Sequence, residues 1–222
     1  MTATYQRIVL ASRPTGPVTP GNFRLESAPV PEPTEGQVLV RVHYLSLDPY
    51  MKGRMMEARS YAEPQALGET MVGGAVGVVE VSRHPKFAVG DTVVGSLGWQ
   101  EYCVTDGRNL MKVDTRSIPM SAFLGSVGMP GVTAWYGLNR ICEPKAGETV
   151  LVSAASGAVG SVVGQLAKAA GCRAVGIAGG PDKCRYVTSE LGFDACIDHR
   201  VHTDEKAMAR AIRAAAPNGV DC

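Results

Sequence analysis

Neither sign of charge dominates this chain: Lys and Arg total 22 against 21 Asp and Glu over 222 residues. A balance so close to zero gives no electrostatic reason to expect nucleic acid or an anionic membrane surface as partner. Long apolar runs are missing too, and none approaches the roughly 18 residues that a membrane-spanning helix needs. The start, Met1-Thr2-Ala3-Thr4-Tyr5-Gln6-Arg7, lacks a basic segment leading into an apolar stretch, so no secretory leader is expected. Cysteine occurs at Cys103, Cys142, Cys172, Cys184, Cys196 and Cys222, but never as C-x-x-C. That spacing indicates neither a disulfide frame nor a zinc site. Most of these thiols are expected to be small buried hydrophobes in a reducing compartment, which makes the cytoplasm the default location.

What is present is a globular composition, 45% hydrophobic and 19% charged, with length for one large domain or two modest ones. The first half reads as β. Candidate strands are Arg7 to Ala11, Phe23 to Ala28, and Gln37 to Leu45, where Val38, Val40 and Val42 alternate with Leu39, Arg41 and His43. Further candidates are the glycine-rich run Val72 to Val81, Val89 to Val94, Trp99 to Val104, and Leu110 to Val113. Short strands with Gly and Pro punctuation suggest a small barrel or partly open β-fold.

The period changes after about Ser121. A helix is expected from near Pro130, a short strand at Thr149 to Ser153, and a helix over Ala158 to Ala170 carrying Val159, Val162, Val163 and Leu166 on one face. A strand at Arg173 to Ile177, a helix from about Pro181 to Leu191, a strand at Ala195 to Ile197 and a helix near Asp204 to Ala215 follow. Alternation of this kind argues for a parallel sheet, so the class is α/β, with a β-domain at 1–121 and a second domain at 122–222.

The strand around Val150 leads into Ala155-x-Gly157-x-x-Gly160, the dinucleotide-binding pattern with alanine in its first place. Gly157 lets backbone approach a pyrophosphate without a Cβ in the way. Gly160 lets the helix pack against the strand, and N–H groups at the helix start face the anion. Enzymes that use NAD place a carboxylate about 20 residues on, at the end of the second strand. Here that strand ends Ile177-Ala178-Gly179-Gly180, with Lys183 within a turn and Arg185 close by. A 2′-phosphate needs cations and room, so NADP(H) is favoured. Asp182 is the dissenting residue, and its simpler role is to complement a helix N-terminus.

Met129-Pro130-Gly131-Val132-Thr133-Ala134-Trp135-Tyr136-Gly137 and Ala155 to Gln165 resemble the prostaglandin and leukotriene reductase branch of the medium-chain dehydrogenases. That branch also includes plant alkenal double-bond reductases and bacterial curcumin reductases. Lys183 to Tyr186, Leu191 to Ala195, and Ser46 to Met55 match as well. The resemblance implies a GroES-like β-domain followed by a partial Rossmann domain, and hydride transfer from NADPH to the β-carbon of an α,β-unsaturated aldehyde or ketone. By position it places Gly157, Ala158, Val159 and Gly160 along the pyrophosphate, Lys183 at the 2′-phosphate, and Met129 and Thr133 near the nicotinamide. His199 stands where the branch often has a tyrosine, and could donate to the same phosphate with a charge that varies near neutral pH.

Zinc-dependent relatives carry a cysteine near Asp48 and a Gly-His-Glu where this chain has Gly68-Glu69-Thr70. With both ligands missing, no metal is expected, and His43, His84 and His202 are read as structural or solvated. A donor to the developing enolate oxygen must then be a side chain. Tyr50 is the candidate within this chain, as pocket wall and donor. The tyrosine usually credited with that contact in the branch falls beyond Cys222. Gly219-Val220-Asp221 opens the fourth strand of the nucleotide sheet in the branch, so the chain is expected to be C-terminally truncated, with the strand around Val150 left as an edge. A homodimer is expected only of a longer form. A quinone reductase of the same superfamily and a non-catalytic nucleotide-binding fragment are the rival readings.

Overall fold

The computed structural model describes residues 3–57 and 62–222. Met1 and Thr2, part of the stretch read above for a leader, lie outside the described residues. The chain divides into two compact units, Met1–Leu124 and Gly125–Cys222.

The first unit is built from antiparallel strands. Strands β1 (Thr4–Leu10) and β2 (Phe23–Pro29) form a two-stranded sheet. Strands β3 (Val38–Leu45), β4 (Gly74–Ser82), β5 (Thr92–Ser96), β6 (Tyr102–Thr105) and β7 (Met111–Lys112) form a five-stranded sheet in the order β6-β3-β4-β5-β7. The alternation anticipated in β3 holds only from Arg41 to His43: Val38, Leu39 and Val40 are all buried, whereas Arg41 and His43 are exposed and Val42 is half-buried. Val38, Val40, Ala75, Val79, Val93 and Leu97 make the core of this sheet. The β1 edge is stitched to the rest by backbone bonds, Ile8 N–H to Trp99 O at 2.8 Å and Met71 N–H to Ile8 O at 2.8 Å. The short helix α1 (Tyr50–Arg54), which periodicity did not foreshadow, turns Met51 inward. Met51, Met55, Met71 and Leu10 form a second apolar cluster, with Tyr50 packed at its margin.

The second unit alternates helix and strand: α2 (Met129–Tyr136), β8 (Thr149–Val152), α3 (Gly160–Ala169), β9 (Arg173–Ala178), α4 (Pro181–Ser189), β10 (Ala195–Asp198) and α5 (Glu205–Ala215). The three strands are parallel, in the order β10-β9-β8. Asp204 caps α5 by accepting the Ala207 N–H at 2.8 Å, so the expected start near Asp204 has a physical basis. Beyond Tyr136 the chain continues as a π-helical turn, Gly137–Cys142, and stops at Glu143 with φ 50°. Val150, Val152, Ala167, Ala174, Val187 and Phe193 fill the core between sheet and helices.

The expectation that β8 is left as an open edge needs correction. Leu151 N–H donates to Cys222 O at 2.8 Å, Asp221 N–H donates to Thr149 O at 3.0 Å, and Thr149 N–H donates to the Asp221 carboxylate at 2.8 Å. The last two residues therefore occupy the free side of β8 and satisfy part of its ladder.

Candidate functional site

Parallel pairing brings the ends of the three strands to one edge of the sheet. Val152 pairs with Gly176, and Ala178 with Asp198. The segments that follow, 153–160, 179–180 and 199–200, therefore emerge side by side at the carboxyl edge, where open α/β sheets bind ligands.

The first of these segments is the glycine turn. Ala155 N–H donates to Ile177 O at 3.0 Å and keeps the turn tied to β9, and Gly157 N–H donates back to Ala154 O at 2.8 Å. Ala154 takes φ 47°, so the left-handed residue sits one place before the motif. A Cβ on Gly160 would come 2.5 Å from Ala154 O and 3.0 Å from Ala155 Cα. That residue is glycine because helix α3 starts directly against the turn. A Cβ on Gly157 would meet only Ala154, its O at 3.1 Å and its Cβ at 4.0 Å. Its hydrogen instead leaves the backbone open. The α3 N-terminus carries no side-chain cap, its N-cap position being Val159. Uncapped N–H groups with the positive end of the helix dipole form an anion site.

The second and third segments form a cationic rim. A Cβ on Gly179 would lie 2.8 Å from His199 Nε2 and 3.3 Å from Arg200 Nε, and one on Gly180 would lie 3.4 Å from an Arg200 terminal nitrogen. The imidazole and the guanidinium thus lie over bare glycine backbone. Asp198 fixes both sides of this rim, accepting Gly180 N–H at 2.8 Å and Arg200 N–H at 2.9 Å. The Gly180 bond, then the Arg200 bond, holds the Asp198 carboxyl below its usual range. Gly180 has φ 98° and leads into α4. Lys183 and His199 are both exposed, and no ion pair is recorded for Lys183 among the described residues. Asp182 is bound to Arg185 at 2.5 Å. Arg185, grouped with Lys183 on spacing, is therefore engaged by Asp182, which removes the dissenting carboxylate as well. Arg200 is the rim residue that motif reasoning missed. Its signal was position alone: a second basic residue directly after His199.

On α2, Met129 is 57% exposed, and the Thr133 hydroxyl donates to Met129 O at 2.8 Å. Toward a ligand that hydroxyl offers lone pairs. In the first unit an apolar cavity of about 300 Å³ is lined by Phe23, Met51, Met55, Met71 and Trp99 among others. Tyr50 is half-buried beside this methionine cluster and is not part of the cavity lining. The histidines set aside above have ordinary roles where bonds are seen: His84 Nδ1 accepts the Lys86 N–H at 3.0 Å, and its ring packs against Phe87. Asp48 accepts the Ser46 hydroxyl at 3.0 Å. Among the described residues no three His, Cys, Asp or Glu side chains gather as a metal site. The residues present do not fit a zinc ion. No helix among the described residues is long and apolar enough to cross a membrane.

An antiparallel β-unit is thus followed by a parallel α/β unit whose glycine turn lies at the carboxyl edge of the sheet, the place where this class of fold binds nucleotides. Residues 6–113 match the family described as N-terminal domain of oxidoreductase, and residues 158–222 that described as zinc-binding dehydrogenase. The chain is 51% identical over 216 residues to the NADPH-dependent curcumin reductase of Escherichia coli (strain K12), spanning 97% of this chain and 61% of that protein. It is 42% identical over 207 residues to prostaglandin reductase 1 of Mus musculus, spanning 92% of this chain and 60% of that protein. Against the crystal structure of CurA in complex with NADPH from Vibrio vulnificus the TM-score is 0.87 at 48% identity, covering 97% of this chain and 63% of that one. The chain belongs to the medium-chain dehydrogenase/reductase family, in the branch of the curcumin, prostaglandin and alkenal reductases. Its units are a GroES-like β-domain and the first part of a Rossmann domain. It spans about 60% of the length of the curated relatives it matches.

Proposed function

We propose that this chain supplies the β-domain and the adenosine-binding half of an NADPH-dependent reductase acting on the carbon–carbon double bond of α,β-unsaturated aldehydes and ketones. The observation that carries the reading is the pairing of an uncapped helix start at Gly157–Gly160 with His199 and Arg200 lying over Gly179 and Gly180, and Lys183 exposed in the first turn of the following helix. The first suits a pyrophosphate and the second a 2′-phosphate. The relatives named for NADPH-dependent curcumin reduction and prostaglandin reduction support the same direction.

Bound at this edge, NADPH would supply the hydride that reduces the β-carbon. The chain's own residues bind and orient. Ala158, Val159 and Gly160 present backbone N–H groups to the pyrophosphate, and Gly157, whose own N–H is turned to Ala154 O, lets the anion approach. Lys183 and His199 meet the 2′-phosphate with Arg200 beside them, and Met129 and Thr133 face the nicotinamide. The methionine-lined cavity offers an apolar wall suited to the hydrocarbon part of an enone. Tyr50, at the margin of that cluster, is the hydroxyl in this chain for the substrate oxygen. The catalysis is taken to be metal-independent because Asp48 and Gly68-Glu69-Thr70 stand where the zinc-dependent relatives carry their cysteine and Gly-His-Glu. The near-neutral charge and the reduced cysteines suit a cytoplasmic enzyme, and a homodimer is proposed for a full-length form.

Titration with both nucleotides tests this. NADPH is expected to bind more tightly than NADH, and Lys183→Ala to weaken NADPH selectively. One charge-assisted contact contributes about 1.5–3 kcal/mol, or about 10- to 150-fold in affinity. Equal affinity for the two nucleotides in the unmodified protein would sink the reading. Turnover of an enone against a quinone, with NADPH in excess, checks the substrate class.

A further inference from the structure

Two of the six cysteines play no part in the site described so far, yet meet beside it. Cys184 lies on α4 directly after Lys183. Cys196 lies on β10, two residues before Asp198. Their Sγ atoms are 3.1 Å apart, and both residues are half-buried rather than sealed. A disulfide needs about 2.05 Å between sulfurs, so closure asks for an approach of only about 1 Å. Cys142 and Cys222 form a second hydrogen-bonded thiol pair, which adjoins the end of β8 instead of the rim. Cys172 is buried and bonds Lys145 O at 3.3 Å, and burial pushes the Cys103 thiol up to about 11.

We propose that Cys184 and Cys196 are a redox-active dithiol, closing reversibly to a disulfide that weakens nucleotide binding at the adjoining cationic rim. The oxidant is a low-molecular-weight disulfide. Cys184 Sγ attacks one of its sulfurs: a new S–S bond forms, the old one breaks, one small thiolate leaves, and the Cys184 proton goes to solvent. Cys196 Sγ then attacks Cys184 Sγ, releases the second small thiolate and loses its own proton. Two protein thiols are oxidised, and one small disulfide is reduced to two thiols. The order of attack follows from the surroundings. Burial, then the hydrogen bond and charge of Cys184 itself, push the Cys196 thiol up to about 12. Capping Cys184 removes the second and third of these causes and leaves burial, so Cys196 ionises more readily after the first step than before it.

The consequence for binding rests on the reading of the rim as an NADPH site. Helix α4 carries Lys183 one residue from Cys184. The Cys196 strand ends in Asp198, whose carboxylate holds Gly180 and Arg200. Drawing the two sulfurs together shifts the lysine against the rest of the rim, and a polar site tolerates displacements of only about 0.5 Å.

The experiment treats the full-length protein with oxidised glutathione, blocks remaining thiols, and maps peptides by mass. A linked Cys184–Cys196 peptide that dithiothreitol releases is expected. Cys196→Ser should instead retain glutathione at Cys184. The NADPH dissociation constant should rise about tenfold on oxidation of the natural sequence, and not in Cys184→Ser. Glutathione resting on Cys184 of the natural sequence with no linked peptide overturns the proposal, and so does a linked peptide with unchanged NADPH affinity. The peptide is read without nucleotide, so reduced protein that fails to bind NADPH would count against the proposed function alone.

Discussion

Two glycines three residues apart make opposite demands, and replacing each by alanine separates folding from binding. At Gly160 the new methyl would stand 2.5 Å from Ala154 O, 3.0 Å from Ala154 C and 3.0 Å from Ala155 Cα, all backbone. A carbon normally approaches a carbonyl oxygen no closer than about 3.3 Å, so α3 must retreat by most of an ångström from a turn that β9 holds in place. Overpacking of this kind costs about 1–3 kcal/mol, and α3 buries Gly164 and Ala167 on the same core, so the retreat is felt there too. At Gly157 the methyl would meet only Ala154, its O at 3.1 Å and its Cβ at 4.0 Å, and otherwise open space. Stability should change by less than about 1 kcal/mol. The methyl would nevertheless occupy the approach of a pyrophosphate, and NADPH affinity should fall at least about tenfold. Thermal unfolding and calorimetric titration of both variants form the assay. A midpoint shift of roughly 2–4 °C per kcal/mol is the scale for a chain of this size. A Gly160→Ala protein as stable as the parent would refute the argument from close approach. A Gly157→Ala protein that binds NADPH normally would refute the placement of the anion.

Asp194 accepts Lys168 Nζ at 2.8 Å and Ala174 N–H at 2.7 Å. Burial raises its pKa, but the Lys168 bond and then the backbone bond outweigh that and leave it lowered. A depressed folded pKa means the stabilisation is complete above the ordinary carboxylate value near 4 and fades as pH falls through the lower folded value. Asp194→Asn should therefore show a stability deficit at neutral pH that shrinks in acid, and a deficit equal at both ends of a denaturant series in pH would refute it. Prolonged chelation should leave both the unfolding midpoint and NADPH-dependent turnover unchanged; one tightly bound zinc per chain, with ligands from this sequence, would overturn metal independence.

The strand–turn–helix around Gly157 was legible because three signals coincide there: a short apolar strand, glycines at fixed offsets, and Val159, Val163 and Leu166 at helical spacing. Helix α1 was not, since five residues ending Gly53-Arg54 are too few to show a period. Tertiary burial of Met51 and Met55, rather than propensity, holds it. The continuation of α2 into a π-turn leaves no mark in the spacing of apolar residues, and Gly137 passes through it with helical angles of φ −57° and ψ −46°. The rim divides in the same way. Lys183 could be placed by its distance from the motif, but Arg200 lies in a loop without pattern. It reaches the site only because Asp198 pairs in register with Ala178. Likewise the choice of Arg185 by Asp182 is a matter of side-chain geometry, which spacing leaves open.

The same distinction governs β8. Counting strands says that the strand around Val150 lacks a neighbour on one side, and an unpaired edge invites association with another chain. Counting hydrogen bonds says something different. Thr149 carries a donor and an acceptor on that side, and Asp221 answers both, its N–H meeting Thr149 O and its carboxylate meeting Thr149 N–H. Leu151 N–H is answered by Cys222 O. A sheet edge is covered group by group, so a two-residue segment with one well-placed carboxylate satisfies part of the free side of β8 without adding a strand. Asp221 thereby becomes a fold residue. Its role follows from where its side chain turns, which the order of elements along the chain does not reveal.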